Sequence, residues 1–195
     1  MSRPKLTRAT VLEAAADFAD RRGYESVSIS AIAREFGVQP ASLYSHVRDR
    51  SAMLEGVHEL ALAALADRIA TAIAGRSKRD ALAGLITAHR VYARELPGRW
   101  AAMQRPATEA TARSASAGRV AALMVAVFRG YELPDDELIH ATRLVGSTIN
   151  GFLALEAAGS FSHRDLDTEL TWMRALDVLD GALTAWPITN PEVTS

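Results

Sequence analysis

The chain has 195 residues, 49% of them apolar, with no cysteine and a formal net charge of −1. This length fits one domain or two small ones, and the lack of cysteine excludes disulfides, thiol nucleophiles and Cys-ligated zinc or iron–sulfur sites. The 37 alanines indicate an all-α fold, because alanine is the strongest helix former. The longest wholly apolar run, Val120 to Phe128, is far shorter than the roughly 20 residues of a membrane span. We therefore expect a cytoplasmic protein with no membrane partner.

The charge is distributed unevenly along the chain. Residues 1–50 carry eight basic and six acidic side chains, whereas residues 132–180 carry ten acidic and three basic ones. A mildly basic beginning and an acidic end indicate that only the first quarter of the chain faces a polyanion. A random scatter of surface charge explains the same pattern equally well, so the charge decides little without a motif.

A 3.6-residue apolar period runs through most of the chain and predicts about nine helices. Ser28 and Asp49 are the predicted N-caps of the second and fourth helices, and Gly23 and Gly37 end the first and the second. Residues 105–116 are predicted to be a loop or a weak helix, and residues 187–195 a flexible tail. The predicted helices span about residues 7–22, 29–36, 40–47, 50–74, 77–96, a short turn near 100–103, 120–128, 134–158 and 164–185.

The segment from Val27 to Leu54 has the anatomy of a helix-turn-helix. Two short amphipathic helices meet at Gly37, where glycine suits a left-handed turn that a Cβ would strain. The side chains that can bury this junction are apolar: Ile32, Phe36, Val38, Leu43 and Val47.

The outward side chains of the second helix are short or neutral hydrogen-bonding groups, with no acid among them. Such groups suit the floor of the DNA major groove, whose base edges present donors, acceptors and thymine methyls. Arg3, Lys5, Arg48 and Arg50 are placed around them to meet phosphates. The outward set is Gln39, Ala41, Ser42, Tyr44, Ser45 and His46.

This segment resembles the DNA-binding domain of the TetR family of bacterial transcriptional regulators. Beyond residues 7–54, the pieces RVYARELPGRW and INGFLALEAAGSF resemble one C-terminal subgroup of that family. The subgroup usually has His-Gly where this chain has Asn150-Gly151. The matching positions of the first segment are Ser28, Ile32-Ala33, Gly37-Val38, Leu43-Tyr44, Val47, Arg50 and Leu54, with Ala14, Phe18 and Gly23-Tyr24 before them.

The resemblance implies a DNA-binding domain of three helices over residues 1–50. A long helix would join it to a helical ligand-binding and dimerisation domain over residues 51–186. The resemblance implies three partners, namely a near-palindromic double-stranded DNA operator, a small-molecule effector and a second copy of the chain. The simplest role that it implies is that of a repressor. Ser28 and Ser30 would lie near the DNA backbone, Gln39, Pro40, Ala41 and Ser42 near bases, and Tyr44, His46 and Arg50 against phosphates. Ser45 belongs to the same candidate set, although the family often has a larger or basic residue there.

A regulator of this kind needs an effector pocket, which is normally apolar with a few convergent polar groups. Each apolar candidate is more commonly a core residue than a pocket residue. A lone histidine such as His89 is more commonly a core residue that bonds to a neighbour than a ligand-binding residue. Asn150 is the strongest polar candidate, because a buried amide needs partners and Gly151 leaves room for one. The candidate lining residues are Leu62, Leu65, Leu85, His89, Tyr92, Trp100, Met103, Met124, Phe128, Ser147 and Asn150.

The last two predicted helices carry apolar side chains on more than one face. A helix that is apolar around most of its circumference must be covered on both sides, which a second copy of the chain can provide. The alternative is that both helices lie centrally in a monomeric bundle. The predicted dimer interface consists of Leu144, Gly151, Leu155, Trp172, Leu176, Leu179 and Leu183.

Enzyme signatures are lacking in the sequence. It contains no GxxxxGK, HExxH, GxSxG or GxGxxG pattern, and its histidines lie on different predicted elements. We therefore expect no catalytic activity, no cofactor and no metal. The remaining alternative to a regulator is a helical ligand-binding or interaction protein that does not bind an operator.

Overall fold

The computed structural model describes residues 6–187, and these residues are all-helical apart from turns and loops. The all-α prediction is thereby confirmed. Arg3 and Lys5, and the predicted tail beyond Pro187, lie outside the described residues. Across residues 6–187, no helix combines the length and the apolar character needed to cross a bilayer. The helices are α1 (Arg8–Arg22), α2 (Ile29–Phe36), α3 (Arg50–Ile73), α4 (Lys78–Glu95), α5 (Pro97–Met103), α6 (Glu109–Ala112), α7 (Ala115–Arg129), α8 (Leu138–Ala157) and α9 (Thr168–Thr184), with 3₁₀ segments at Tyr24–Ser26 and Pro40–Leu43.

The described residues form two compact units. The first comprises residues 6–71 and 88–122, and the second comprises residues 72–87 and 123–187. The first unit therefore contains α1, α2, α5 and α6 with most of α3. The predicted division after residue 50 concerns function, between DNA binding and ligand binding, and it stays a prediction.

Side-chain hydrogen bonds set where α2 and α3 begin. The Ser28 hydroxyl oxygen accepts from the N–H of Ala31 at 3.2 Å, and the Asp49 carboxylate accepts from the N–H of Ala52 at 2.8 Å. Each bond satisfies one backbone donor that a helix start leaves without an intrahelical partner. The bond from Ala52, together with the neighbouring Arg48, holds the pKa of Asp49 below its ordinary value. The prediction of Ser28 and Asp49 as N-caps is confirmed.

The segment predicted as a helix over residues 40–47 is shorter in the structure. Only Pro40–Leu43 is helical, and it is a 3₁₀ segment with the N–H of Ser42 donating to the carbonyl oxygen of Gln39 at 2.9 Å. The hydroxyl of Ser45 then donates to the carbonyl oxygen of Ser42 at 2.9 Å. The N–H groups of His46 and Val47 then both donate to the carbonyl oxygen of Leu43 at 2.9 Å, so the chain continues to Val47 in turns rather than as a regular helix.

The last two helices also begin later than predicted. A single turn, closed by the N–H of Glu137 on the carbonyl oxygen of Pro134 at 3.0 Å, precedes α8. Asp167 caps α9 by accepting from the N–H of Glu169 at 2.8 Å, so the helix begins at Thr168 rather than near residue 164.

One apolar core holds α1, α2, the segment Pro40–Leu43 and the start of α3 together. Fully burying one leucine-sized side chain contributes roughly 1.5–3 kcal/mol, so these residues are the main source of stability of this region. On α1, Val11, Ala15 and Ala19 are fully buried in this core, while Phe18 is only partly buried. The buried members are Val11, Leu12, Ala15, Ala16, Ala19, Val27, Ile29, Ile32, Ala33, Leu43, Val47, Met53, Val57 and Ala102.

The second unit buries apolar side chains of α8 and α9 together with parts of α4 and α7. Polar bonds reinforce it: the hydroxyl of Tyr131 donates to Asp180 at 2.6 Å, and the indole N–H of Trp186 donates to Glu137 at 2.9 Å. Burial, and the bond to Asp180, raise the pKa of Tyr131 above its ordinary value. Its buried side chains include Leu82, Leu85, Ile86, Val127, Phe128, Val145, Ile149, Leu153, Trp172, Leu176, Leu179 and Leu183.

Candidate nucleic-acid interface

Backbone hydrogen bonds around Gly37 close the turn that follows α2. Gly37 has φ +61° and ψ +39°, in the left-handed region that a side chain disfavours. Its N–H donates to the carbonyl oxygen of Arg34 at 3.0 Å, and the N–H of Val38 donates to that of Ala33 at 3.0 Å. This pair of bonds is a Schellman motif, which ends α2 at a defined residue and sets the direction in which the chain leaves it.

The residues after this turn, 39–47, are named here the recognition segment. Leu43 and Val47 are buried in the core that also contains Ile32 and Ala33 of α2. The predicted burial of both anchors is confirmed. The remaining side chains are exposed or half-buried, and Tyr44 is 57% exposed. The solvent-facing set is Gln39, Pro40, Ala41, Ser42, Tyr44, Ser45 and His46.

The recognition segment is neutral, with arginines on either side of it. Arg34 on α2 is exposed, and Arg48 is exposed beside Asp49, to which its Nε–H donates at 2.8 Å. Neutral donors and acceptors suit base edges, whereas guanidinium groups suit phosphates. The arrangement can therefore present neutral side chains to DNA bases, with arginines on either side for the phosphates.

Three residues predicted to contact the DNA backbone lie at the starts of α2 and α3. Ser28 is half-buried as the cap of α2, and Ser30 is exposed in the first turn of that helix. Arg50 is exposed, but its Nε–H donates to the carbonyl oxygen of Val27 at 2.7 Å and its Nη2 donates to that of Glu25 at 3.3 Å. Its side chain is thus bound to the protein's own backbone in front of α2.

An ion cluster that the sequence did not predict joins α5 to α1. Nη1 of Arg99 donates to the carboxylate of Asp20 at 2.7 Å, and the backbone N–H of Arg99 donates to the same carboxylate at 2.8 Å. Nη2 of Arg99 reaches Asp17 at 2.8 Å and Glu13 at 3.3 Å. The Arg99 and Asp20 side chains are only 12% and 11% exposed. The available signal was the i, i+4, i+7 spacing of the three acids, which places them on one face of α1.

α5 also approaches α1 very closely at Gly98. A Cβ built on Gly98 would overlap the carbonyl carbon and oxygen of Ala19, so the two helices meet backbone to backbone. Ala102, one turn further along α5, is fully buried in the same core. Only glycine fits this position without displacing one of the two helices.

Arg105, two residues after α5, contacts the 3₁₀ segment Tyr24–Ser26. The guanidinium of Arg105 lies over the ring of Tyr24, 5.7 Å from its centroid, and pairs with the carboxylate of Glu25. Burial raises the pKa of Tyr24, against the opposing effect of the nearby guanidinium of Arg105. Arg99 of α5 therefore contacts α1, and Arg105 after α5 contacts the segment that leads into α2.

Two family models match the chain. The family described as "Bacterial regulatory proteins, tetR family" matches residues 11–57, and "Tetracyclin repressor-like, C-terminal domain" matches residues 82–179. The HTH-type transcriptional regulator Rv0681 of Mycobacterium tuberculosis is 33% identical over 185 residues, which cover 89% of this chain and 81% of the relative. The chain belongs to the TetR family of bacterial regulatory proteins. It is a DNA-binding transcriptional regulator with a helix-turn-helix.

Further relatives and solved structures share the TetR fold. The HTH-type transcriptional regulator YobS of Bacillus subtilis is 28% identical over 160 residues, covering 82% of this chain and 84% of YobS. BioQ of Mycobacterium smegmatis matches with a TM-score of 0.73 at 21% identity, over 93% of this chain and 100% of BioQ. A structure of BioQ with its double-stranded DNA operator matches with a TM-score of 0.67 at 21% identity, over 93% and 99% of the two chains. These similarities confirm an N-terminal helix-turn-helix followed by a helical C-terminal domain.

The candidate effector residues of this TetR-family chain divide between the two units. In the first unit, the ring of His89 meets that of Trp100 edge-on with 6.3 Å between centroids. The hydroxyl of Tyr92 donates to the carbonyl oxygen of Ala61 at 3.0 Å, and burial raises the pKa of Tyr92. The other candidates there are Leu65, which is buried, and Leu62 and Met103, which are half-buried.

In the second unit, the apolar candidates are buried and the polar ones are not. The hydroxyl of Ser147 is exposed and donates to the carbonyl oxygen of Leu144 at 3.0 Å. The half-buried amide of Asn150 donates to the carbonyl oxygen of Gly146 at 2.8 Å. The effector role of all these residues stays a prediction. The buried apolar candidates are Leu85, Met124 and Phe128.

The candidate dimer residues of α8 and α9 differ in exposure. Leu144 and Leu155 are 42% and 49% exposed, and Gly151 between them is exposed with open space where a Cβ would lie. On α9 the candidates are buried within the chain itself, and other apolar side chains face solvent instead. The buried candidates are Trp172, Leu176, Leu179 and Leu183, and the exposed apolar residues of α9 are Leu170, Met173 and Val178.

Proposed function

We propose that this TetR-family chain is a homodimeric repressor that a small-molecule effector releases from a near-palindromic operator. The observation that carries operator binding is the recognition segment, which Leu43 and Val47 anchor and whose remaining side chains are neutral and face solvent. BioQ, whose fold is similar, has been solved with its double-stranded DNA operator, which supports the same use of this fold here. Two copies would insert two recognition segments into major grooves, with half-sites one or more helical turns apart.

Release by an effector requires that the effector binds one conformation of the protein better than the other, because tight binding alone shifts nothing. The similarity of residues 82–179 to the tetracycline repressor-like C-terminal domain supports an effector site in that range. Within the first unit, α5 contacts α1 through the close backbone approach at Gly98 and through the bond from Arg99 to Asp20, and α1 belongs to the helix-turn-helix domain. A movement of α5 would therefore reach the DNA-binding helices directly.

Operator binding is tested by selecting duplexes from a random pool with the wild-type protein and then titrating the best duplex at several salt concentrations. We expect a near-palindromic site whose binding constant falls as salt rises, with a log–log slope of about −0.9 for each phosphate neutralised. A slope near zero, or a pool in which no sequence becomes enriched, would contradict the proposal. If no sequence becomes enriched and the chain still dimerises and binds small molecules, the alternative holds, namely a ligand-binding protein without an operator.

The dimer is tested by replacing Leu144 and Leu155 with glutamate. Both side chains are about half exposed on one face of α8, so the substitutions place unpaired charges in the proposed interface at little cost to the single chain. Light scattering should give about twice the 21.0 kDa chain mass for the wild type and the single-chain mass for the double variant. Val91→Glu, at an exposed apolar position on α4, is the matched control and should remain dimeric. A wild type that already scatters as one chain rules the dimer out.

A further inference from the structure

Arg50 occupies the first position of α3 and reaches back to the chain in front of α2. Its Nε–H donates to the carbonyl oxygen of Val27 at 2.7 Å, and its Nη2 donates to the carbonyl oxygen of Glu25 at 3.3 Å. Nε and Nη2 lie along one edge of the planar guanidinium, so a single side chain spans two carbonyl groups two residues apart. The resemblance to the TetR family, in contrast, implied that Arg50 lies against a DNA phosphate.

The two carbonyl groups have a reason to need this partner. In the 3₁₀ segment Tyr24–Ser26, the carbonyl oxygens of Gly23 and Tyr24 accept from the N–H groups of Ser26 and Val27 at 3.1 and 3.2 Å. Those of Glu25 and Val27 follow at the end of the segment, where helical partners run out and donors from elsewhere are needed. A cation is also favoured at such a C-terminal end. Arg50 therefore completes the segment that leads directly into the cap of α2.

A second arginine also contacts this segment. Arg105 pairs with the carboxylate of Glu25 and lies over the ring of Tyr24. Val27 is fully buried in the core of the first unit, and Ser28 next to it caps α2. The start of α2 is thus fixed by a buried side chain and by two arginines that both contact Glu25.

We propose that Arg50 is a positioning residue for operator binding. It binds Glu25 and Val27 and so fixes the start of α2, and hence the turn at Gly37 and the recognition segment, relative to α3. This inference rests on the operator binding proposed above and adds the residue that orients the recognition segment. It assigns the direct phosphate contact at this edge to Arg48, whose side chain is 78% exposed.

The comparison of Arg50→Lys with Arg50→Gln separates positioning from phosphate binding. A phosphate accepts a lysine as a point charge, but a lysine cannot reproduce the planar fork that spans two carbonyl groups. Affinity and its salt dependence are measured on the duplex selected by the wild type, together with the melting temperature of each free protein. Arg48→Gln serves as the phosphate-contact control, and Arg113→Gln, an exposed arginine paired with Glu109, serves as the neutral control.

We expect both Arg50 variants to weaken operator binding by about tenfold or more at fixed salt, because without these two bonds the start of α2 and the recognition segment must be ordered during binding, which costs affinity. The salt slope of both should equal that of the wild type. Arg48→Gln should instead reduce the slope by about 0.9 for each of the two half-sites, and Arg113→Gln should change nothing.

Two results would overturn the proposal. If Arg50→Lys binds like the wild type while Arg50→Gln loses salt slope, Arg50 is a phosphate contact. If both variants melt at lower temperature but bind the operator with unchanged affinity well below melting, Arg50 supports the fold alone. Failure of the wild type to bind any selected duplex is a separate result, which refutes operator binding before any variant is compared.

Discussion

A chain that carries Ser42→Glu and Tyr44→Glu is expected to lose operator affinity by more than about a hundredfold. A well-placed base contact, as predicted for Ser42, contributes about 1–3 kcal/mol, and Tyr44 is predicted to add a phosphate contact. Over two copies these losses add to several kcal/mol, each 1.4 kcal/mol being about tenfold. The new carboxylates also face the phosphates with the wrong sign. Both residues are exposed, and the hydrogen bonds that shape this segment at Ser42 involve its backbone, so stability should change by less than about 0.5 kcal/mol.

The measurement is a titration of the selected duplex, with circular dichroism and light scattering on the same samples. Ser160→Glu with Ser162→Glu is the matched control, since it adds the same two charges at exposed serines in the turn after α8. The control should bind like the wild type, because only charges in the recognition segment oppose the DNA. Operator binding that survives in the Ser42/Tyr44 variant with an intact fold would show that residues 39–47 do not read the DNA.

Gly98→Ala is expected to lower the free energy of unfolding by about 3 kcal/mol, the upper part of the usual range for overpacking. The new methyl group would overlap the Ala19 carbonyl, which is backbone and cannot rotate away as a side chain could. α5 must then move off α1, which weakens the bonds between Arg99 and Asp20. For a chain of this size the melting temperature should fall by roughly 10 °C.

Gly118→Ala supplies the matched control for this substitution. Gly118 also lies in a helix, α7, but nothing lies within 4 Å of the place where its Cβ would be. Alanine there should raise the free energy of unfolding by about 0.5–1 kcal/mol, because it restricts the unfolded chain more than glycine does. Urea and thermal unfolding at one protein concentration give both values. Equal stabilisation by the two alanines would mean that α5 does not approach α1 as described.

Local features of the helix-turn-helix could be predicted because they depend on neighbouring residues. The caps at Ser28 and Asp49 and the left-handed turn at Gly37 each follow from the preferences of single residue types. The burial of Leu43 and Val47 follows from apolar spacing. These features sufficed to place the recognition segment and its exposed face.

Contacts between distant residues could not be predicted in the same way. Arg99 and Asp20 are 79 residues apart, and nothing in their local patterns specifies that α5 lies on α1. The bond from Arg50 to Val27 likewise joins residues that are distant in sequence and depends on the tertiary fold. From the sequence alone, an arginine at position 50 is equally consistent with a phosphate contact. On α9, apolar residues surround the helix, and periodicity alone does not distinguish the face that packs within the chain from the face left to solvent.

In the proposed function, the residues of the recognition segment that choose a DNA sequence are separate from those that maintain the fold. Leu43 and Val47 supply its buried anchors, while its solvent-facing side chains, including Gln39, Ser42 and Tyr44, lie outside the buried core. Substitutions on that outer face therefore cost little stability and combine nearly additively where they do not touch. If these side chains read the operator as proposed, a duplicated copy of such a gene can change its operator in single steps, each of which leaves a folded protein. The same independence makes this face a practical starting point for engineering a regulator with a new DNA target.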